Sequence, residues 1–204
     1  MIIIARNSEQ NEKQRETRKA QILTEALYLF AQKGLYETKI KDIAQAIGMA
    51  QGLIYHYYAS KEEIYTELIR EALDKMNEAA YSLQQMALPP HKKISLAISQ
   101  LLNTMKQSQR FNQTCLLISQ ASNSAALPES TKKILQEKRH ISYEVIADIM
   151  EQGQDEGYII DADPDELSLL FWTTINGLAI YQATHPGEPK LPSDQLLIRI
   201  FIKE

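Results

Sequence analysis

The stretch AIGMAQGLIYHYYASKEEI, Ala46 to Ile64, decides how this chain reads. Two glycines, Gly48 and Gly52, stand four residues apart, and Tyr55, His56, Tyr57 and Tyr58 follow in an unbroken row. A buried helix does not accept so many polar rings, and a solvated helix does not carry so many aromatics. On the N-terminal side, Ile40, Ile43, Ala44 and Ile47 recur at helical spacing and stop at Gly48. A short helix there, a turn at Gly48-Met49-Ala50 and a second short helix from Gln51 to about Tyr57 have the proportions of a helix-turn-helix.

In that motif the second helix enters the DNA major groove, and its first residues meet base edges. Gly52 lets backbone and DNA approach closely, despite costing roughly 1 kcal/mol in helix propensity. Gln51 carries an amide suited to an adenine edge, and Leu53 a methyl surface suited to thymine. The hydroxyls of Tyr55 and Tyr57 and the ring of His56 suit phosphate oxygens. Ile54 and Tyr58 fall on the opposite side and are expected to pack inward. Ser60 and Glu63 form a capping box for the next helix. Lys61 opens that helix, where the dipole disfavours a cation and where a phosphate would relieve the conflict.

Further out, the chain is helical throughout. Ile22, Leu23, Ala26, Leu27, Leu29 and Phe30 make a stripe closed by Gly34, and Ile64 to Ala80 make a long helix that ends before Pro89-Pro90. Helices follow over Ile94–Met105 and around Cys115–Ile118. A small, polar loop covers Ala121–Pro128. One long helix is expected from Glu129 to Gln152, fading into Gly153 and Gly157. Asp163-Pro164-Asp165-Glu166 is a helix start, with a cap, a proline and acids in order. That helix runs to about Ala183. His185–Pro189 is a linker, and Ser193 starts a last short helix. There are 7 glycines and 7 prolines, and few runs of alternating β-branched residues. The fold is read as all-α.

The segments Gly34–Ile40, Asp42–Ala44, Ile47–Tyr58 and Ser60–Ile64 together resemble the DNA-binding domain of the tetracycline-repressor (TetR) family. The resemblance is detailed over about residues 15–64. It implies an N-terminal three-helix helix-turn-helix domain, joined by a long helix to a larger helical ligand-binding and dimerisation domain. It also implies a homodimeric repressor released from a double-stranded DNA operator by a small-molecule effector. Carried over by position, Thr38 and Lys61 match phosphate contacts, and Gln51, Gly52 and Leu53 match the base-facing start of the recognition helix. Tyr55, His56 and Tyr57 match its groove and phosphate contacts. Two positions depart from the family pattern. Ala50 replaces the usual Ser or Thr, losing a cap worth ~1 kcal/mol. Lys39 replaces a small hydroxyl residue and reaches phosphate by charge instead.

The resulting division is an N-terminal extension over 1–14, expected to be flexible, a DNA-binding domain over 15–60 and a ligand-binding and dimerisation domain over 61–204. Glu129–Gln152 and Pro164–Ala183 are the candidate dimer helices, with Gly177 suited to close approach. Met105, Phe111, Cys115, Tyr143, Trp172 and Asn176 are candidates for lining a mostly apolar ligand pocket, though Met and aromatic residues fill most ordinary cores too.

Charge distribution agrees with this division. Net charge is −4 over 204 residues, yet residues 1–61 carry +3 and residues 62–204 carry −7. A polyanion is therefore expected to meet the first third only. A single cysteine excludes an internal disulfide, and the short apolar run at residues 2–4 is neither a signal segment nor a membrane span. A cytoplasmic location is expected.

Enzyme motifs fail in context. Ser130 and Lys133 form S-x-x-K without companion motifs. The four histidines show no metal-helix spacing, and Asp161, Asp163 and Asp165 fit a helix cap better than a calcium loop. No enzyme activity, cofactor or metal is expected. Two other readings stay open: an activator of the same fold, and a helical protein-interaction module that uses its tyrosines without binding DNA.

Overall fold

The computed structural model describes residues 2–124, 126–185, 187 and 191–203, with side chains from residue 12 onward. The described chain is all-α, apart from one isolated antiparallel bridge between Ile159 and Ile202. It forms two compact units, Met1–Leu68 and Ile69–Glu204. No helix among the described residues is long and apolar enough to cross a membrane.

The first unit begins with α1, Ile2–Glu37, which is broken at Gly34. Gly34 sits at φ 77° and ψ 171°, which only glycine adopts without strain, so the sequence-predicted stop is where the helix leaves its path. Then come α2, Ile40–Ala46, and α3, Gln51–Ile54. Gly48 between them takes φ +63° and makes the sharp turn. The helix α4, Lys61–Gln84, starts in the first unit and ends in the second. Of the expected stripe, Ile22, Leu23, Ala26, Leu27 and Phe30 are buried and Leu29 is half-buried; Ile43, Ile54, Tyr58 and Ile64 are buried too. Phe30 and Tyr65 meet edge to face at 5.2 Å. Burial, with Tyr36 nearby as a smaller cause, pushes the Tyr65 phenol up to about 12.

The second unit contains α5, Pro90–Gln107; α6, Gln109–Ser122; α7, Glu129–Lys138; α8, Ile141–Asp155; α9, Pro164–Thr184; and α10, Asp194–Ile198. Its core joins Ile94, Ile98, Leu102, Ile146, Ile149, Met150, Phe171 and Phe201, all nearly inaccessible. The caps read from the sequence form as expected. Asp163 accepts from the Asp165 N–H at 2.8 Å, and Ser193 from the Leu196 N–H at 3.3 Å. The linker expected over His185–Pro189 lies largely outside the described residues.

The single helix expected over Glu129–Gln152 is instead two helices, parted at Arg139-His140. The Lys138 carbonyl, which a continuous helix would pair with the Ser142 N–H, accepts from Asn77 Nδ2 at 3.0 Å. Lys138 also pairs through its ammonium with Asp74. Two α9 side chains then claim carbonyls at the start of α8: Trp172 Nε1 donates to Ser142 at 3.1 Å, and Ser168 Oγ to Tyr143 at 2.6 Å. The helix is thus interrupted where polar side chains of α4 and α9 take its backbone acceptors.

Candidate nucleic-acid interface

The α2–turn–α3 segment presents two chemically different sides. Ile54 and Tyr58 point inward, at 0% and 1% exposure, as their spacing predicts. Tyr58 donates through its hydroxyl to Glu67 at 3.2 Å, and the Lys19 ammonium stands 5.4 Å from its ring centre. On the other side Gln51, Gly52, Leu53, Tyr55 and His56 are all exposed, with Leu53 at 48% and Tyr55 at 51%. Tyr57 is half-buried at the edge. A Cβ at Gly52 would meet nothing within 4 Å, so this glycine leaves free space above the helix. Exposed Leu and Tyr side by side with an amide and an imidazole make a surface suited to groove edges and phosphates.

The regular part of α3 is shorter than expected. Beyond Ile54 the chain tightens into i→i+3 bonds, from His56 N–H to Leu53 at 3.2 Å and from Tyr57 N–H to Ile54 at 2.8 Å. At the other end, Ala50 occupies the cap position in extended backbone and contributes no side-chain bond.

Two positions assigned to phosphate contacts have other partners. Thr38 is completely buried, and its hydroxyl donates to the Gly34 carbonyl at 2.7 Å. It closes the break in α1, and a phosphate outside cannot reach it. Lys61 donates from Nζ to the carbonyls of Tyr36 and Thr38, both at 2.9 Å. Two of its three donors are engaged there, so the unfavourable dipole at the start of α4 is offset by backbone oxygens of the α1–α2 connection. Lys39, between them, is exposed at the α2 cap, where its N–H bonds Asp42 at 3.3 Å. The capping box of α4 forms with a shift: Ser60 Oγ accepts from the Glu63 N–H at 3.2 Å, while Glu63 reaches back to the Ala59 N–H at 2.6 Å.

Residues from α1 that the motif reading passed over also join this face. One cleft of ≈ 880 Å³ is lined by Lys13, Arg15, Arg18, Gln21, His56 and Tyr57, among others. A second of ≈ 510 Å³ is lined by Arg18, Met49, Leu53, His56 and Tyr57, among others. The signal available in the sequence was the cluster of cations at residues 13–19, but nothing in it shows which element those cations approach.

The candidate ligand residues lie in or against the core of the second unit. Met105 and Trp172 are buried within it, and Phe111, Cys115 and Tyr143 pack on it. Tyr143 and Trp172 ring centres are 5.8 Å apart. Asn176 is half-buried on α9. Burial pushes the Cys115 thiol up to about 12, with its backbone hydrogen bond acting weakly in the other direction. Among the described residues no group of three or more His, Cys, Asp or Glu side chains is placed to hold a metal ion.

Comparison with known proteins covers both units. A family model described as "Bacterial regulatory proteins, tetR family" matches residues 22–68. Another, "Tetracyclin repressor-like, C-terminal domain", matches residues 90–188. The HTH-type transcriptional repressor KstR2 of Mycobacterium tuberculosis is 26% identical over 142 residues, 70% of this chain and 69% of that protein. YfiR of Bacillus subtilis, an uncharacterized HTH-type transcriptional regulator, is 25% identical over 178 residues, 86% of this chain and 84% of that protein. Among solved structures, ketosteroid transcriptional regulator KstR2 of M. tuberculosis superposes with a TM-score of 0.76 at 24% identity, covering 92% of this chain and 96% of that one. The structure of AibR in complex with isovaleryl coenzyme A and operator DNA gives 0.70 at 17% identity, covering 89% and 94%.

Proposed function

From the premise that this chain belongs to the TetR family of bacterial transcriptional regulators, we propose that it is a homodimeric repressor released from its operator by a small, mostly apolar ligand. The observation that carries the DNA-binding part is the split between the two sides of the helix-turn-helix. Ile54 and Tyr58 anchor α3 to the core, so Gln51, Gly52, Leu53, Tyr55 and His56 are held outward as a set. In this reading Gln51 and Leu53 meet base edges, Tyr55, His56, Tyr57 and Lys39 meet phosphates, and Thr38 and Lys61 hold the segment in place. Residues 15–60 then serve as the DNA-binding domain, and residues 61–204 as the ligand-binding and dimerisation domain.

The homodimer reading draws on α9. Its outer side exposes Leu169 at 54%, Leu170 at 42% and Tyr181 at 39%, and Gly177 lies between them with open space around it. Apolar side chains flanking a glycine on an outward helix face suit a second helix at close range. The ligand reading draws on Met105, Phe111, Cys115, Tyr143, Trp172 and Asn176, an apolar and aromatic set with few polar groups.

Fluorescence anisotropy on the DNA upstream of the protein's own gene, with scrambled competitor and a salt series, tests the first part. Competitor-resistant binding that weakens steeply with salt is the expected result. Binding that the competitor removes, on that fragment and in a genome-wide pull-down, would refute it. Light scattering tests the dimer, and a monomer both free and on DNA refutes that part.

A further inference from the structure

The clefts beside the recognition helix are not explained by the helix-turn-helix itself. One wall is α1, and its contribution is cationic. Lys13, Gln14, Thr17, Arg18 and Gln21 line the larger cleft and recur at three- and four-residue spacing, so they form one face of the helix. Glu12 falls on the opposite side of the helical period, and Glu16 lies at the margin beside Lys13. None of the described lining residues of either cleft is acidic. Arg18 borders both clefts and is exposed, and Gln21 holds one arm of its guanidinium at 3.0 Å. The remaining donors of that planar fork are free to serve a phosphate.

We propose that the α1 cations lining the larger cleft, Lys13 and Arg18 on the helix face and Arg15 at its margin, form a second DNA-contact element, which binds the phosphate backbone flanking the groove that receives α3. This rests on the DNA-binding reading given above and extends it to residues outside the motif. Geometry and charge both support it. The face from Lys13 to Gln21 is about 12 Å long at the helical rise of 1.5 Å per residue, comparable to the about 12 Å width of a major groove. It is continuous with the exposed surface of α3 through His56 and Tyr57, which line both clefts. A DNA groove filled by α3 therefore brings its bordering strand toward the cations of α1. The contact is to phosphate because three cations lining one cleft match a repeating anion, and such contacts position the protein without reading sequence. The face thereby fixes how far α3 enters and at what angle.

The test is the salt dependence of operator binding for the wild-type dimer, Arg18→Gln, and the triple variant Lys13→Gln, Arg15→Gln, Arg18→Gln. Arg18→Lys and Lys75→Gln serve as controls; Lys75 is a 70% exposed lysine of the second unit. Each phosphate contact contributes about 0.9 to the slope of log K against log salt. Because the dimer carries each contact twice, Arg18→Gln should lower the slope by about 1.8 and the affinity about sixtyfold at 0.1 M salt. The triple variant should lower the slope by about 5.4. Arg18→Lys should retain most of the slope, Lys75→Gln all of it, and the selected consensus should not change in any variant. A wild-type slope in the triple variant overturns the proposal while leaving the regulator reading intact. A changed consensus at unchanged slope also overturns it, because Arg18 would then read bases. A wild-type protein without salt-sensitive operator binding removes the regulator reading and this inference with it. Circular dichroism melts confirm that each variant folds, which these exposed helix positions permit.

Discussion

Replacing Thr38 by valine separates a structural from a DNA-contacting role with almost no change of shape. The side chain is wholly buried, and its hydroxyl donates to Gly34 at 2.7 Å. Gly34 is where α1 leaves its helical path, so its carbonyl has lost the partner that a continuing helix would supply. Valine fits the same space and leaves that half-buried acceptor without this donor. An orphaned buried acceptor costs about 1–3 kcal/mol, offset by roughly 0.8 kcal/mol for the extra buried methyl. The net loss should be about 0.2–2 kcal/mol, or up to about thirtyfold in the folding equilibrium at 1.4 kcal/mol per decade. With a urea slope near 1 kcal/mol/M for a unit this small, the midpoint should fall by up to about 2 M. Trp172, the only tryptophan, lies in the second unit, so its fluorescence does not report this change directly. Far-UV circular dichroism and hydrogen exchange of peptides spanning residues 34–47 are the informative assays. Faster exchange there, with an unchanged salt slope of DNA binding, is the expected outcome. A variant with wild-type stability and a salt slope lower by about 1.8, two contacts per dimer, would show that the hydroxyl serves a phosphate and refute the structural role.

Three further outcomes can be checked. Gly153→Ala places a Cβ 2.7 Å from Ile159 Cγ1 and 3.3 Å from Pro90 Cβ, in a buried site, so it should cost about 1–3 kcal/mol by overpacking, read as a lower urea midpoint by Trp172 fluorescence. Ala50→Ser restores a hydroxyl at the cap of α3 and should stabilise the first unit by about 0.5–1 kcal/mol in a urea titration followed by circular dichroism; no gain would mean that the cap geometry is not formed. Cys115, with its thiol pushed up to about 12, should resist thiol reagents at pH 8 in the native state and react fully in denaturant. Because folding raises this thiol from 9.0 and the Tyr65 phenol from 10.0, their contribution to stability is complete below those values and declines as pH rises toward 12.

What was legible in the sequence was local. The stripe over Ile22–Phe30, the stops at Gly34 and Gly48, and the inward turn of Ile54 and Tyr58 all follow from periodicity and from glycine's tolerance of positive φ. The starts at Asp163 and Ser193 follow from capping chemistry, which is complete within four residues. The family resemblance, too, rests on residue types at fixed spacing within one continuous stretch.

Tertiary structure decided the partners of polar groups. Lys61 finds carbonyls 25 and 23 residues away, and Thr38 turns inward to carbonyls of α1 at and before its break. The helix expected from Glu129 to Gln152 divides where Asn77, 61 residues earlier in the chain, takes the Lys138 carbonyl. Arg18 borders the recognition surface because α1 and the α2–α3 segment line one cleft. An apolar residue needs only to know which side of its helix is buried, and the helical period tells it. A hydrogen-bonding group needs a specific atom at a specific distance, and for these residues that atom lies on a distant element whose position only the folded chain determines.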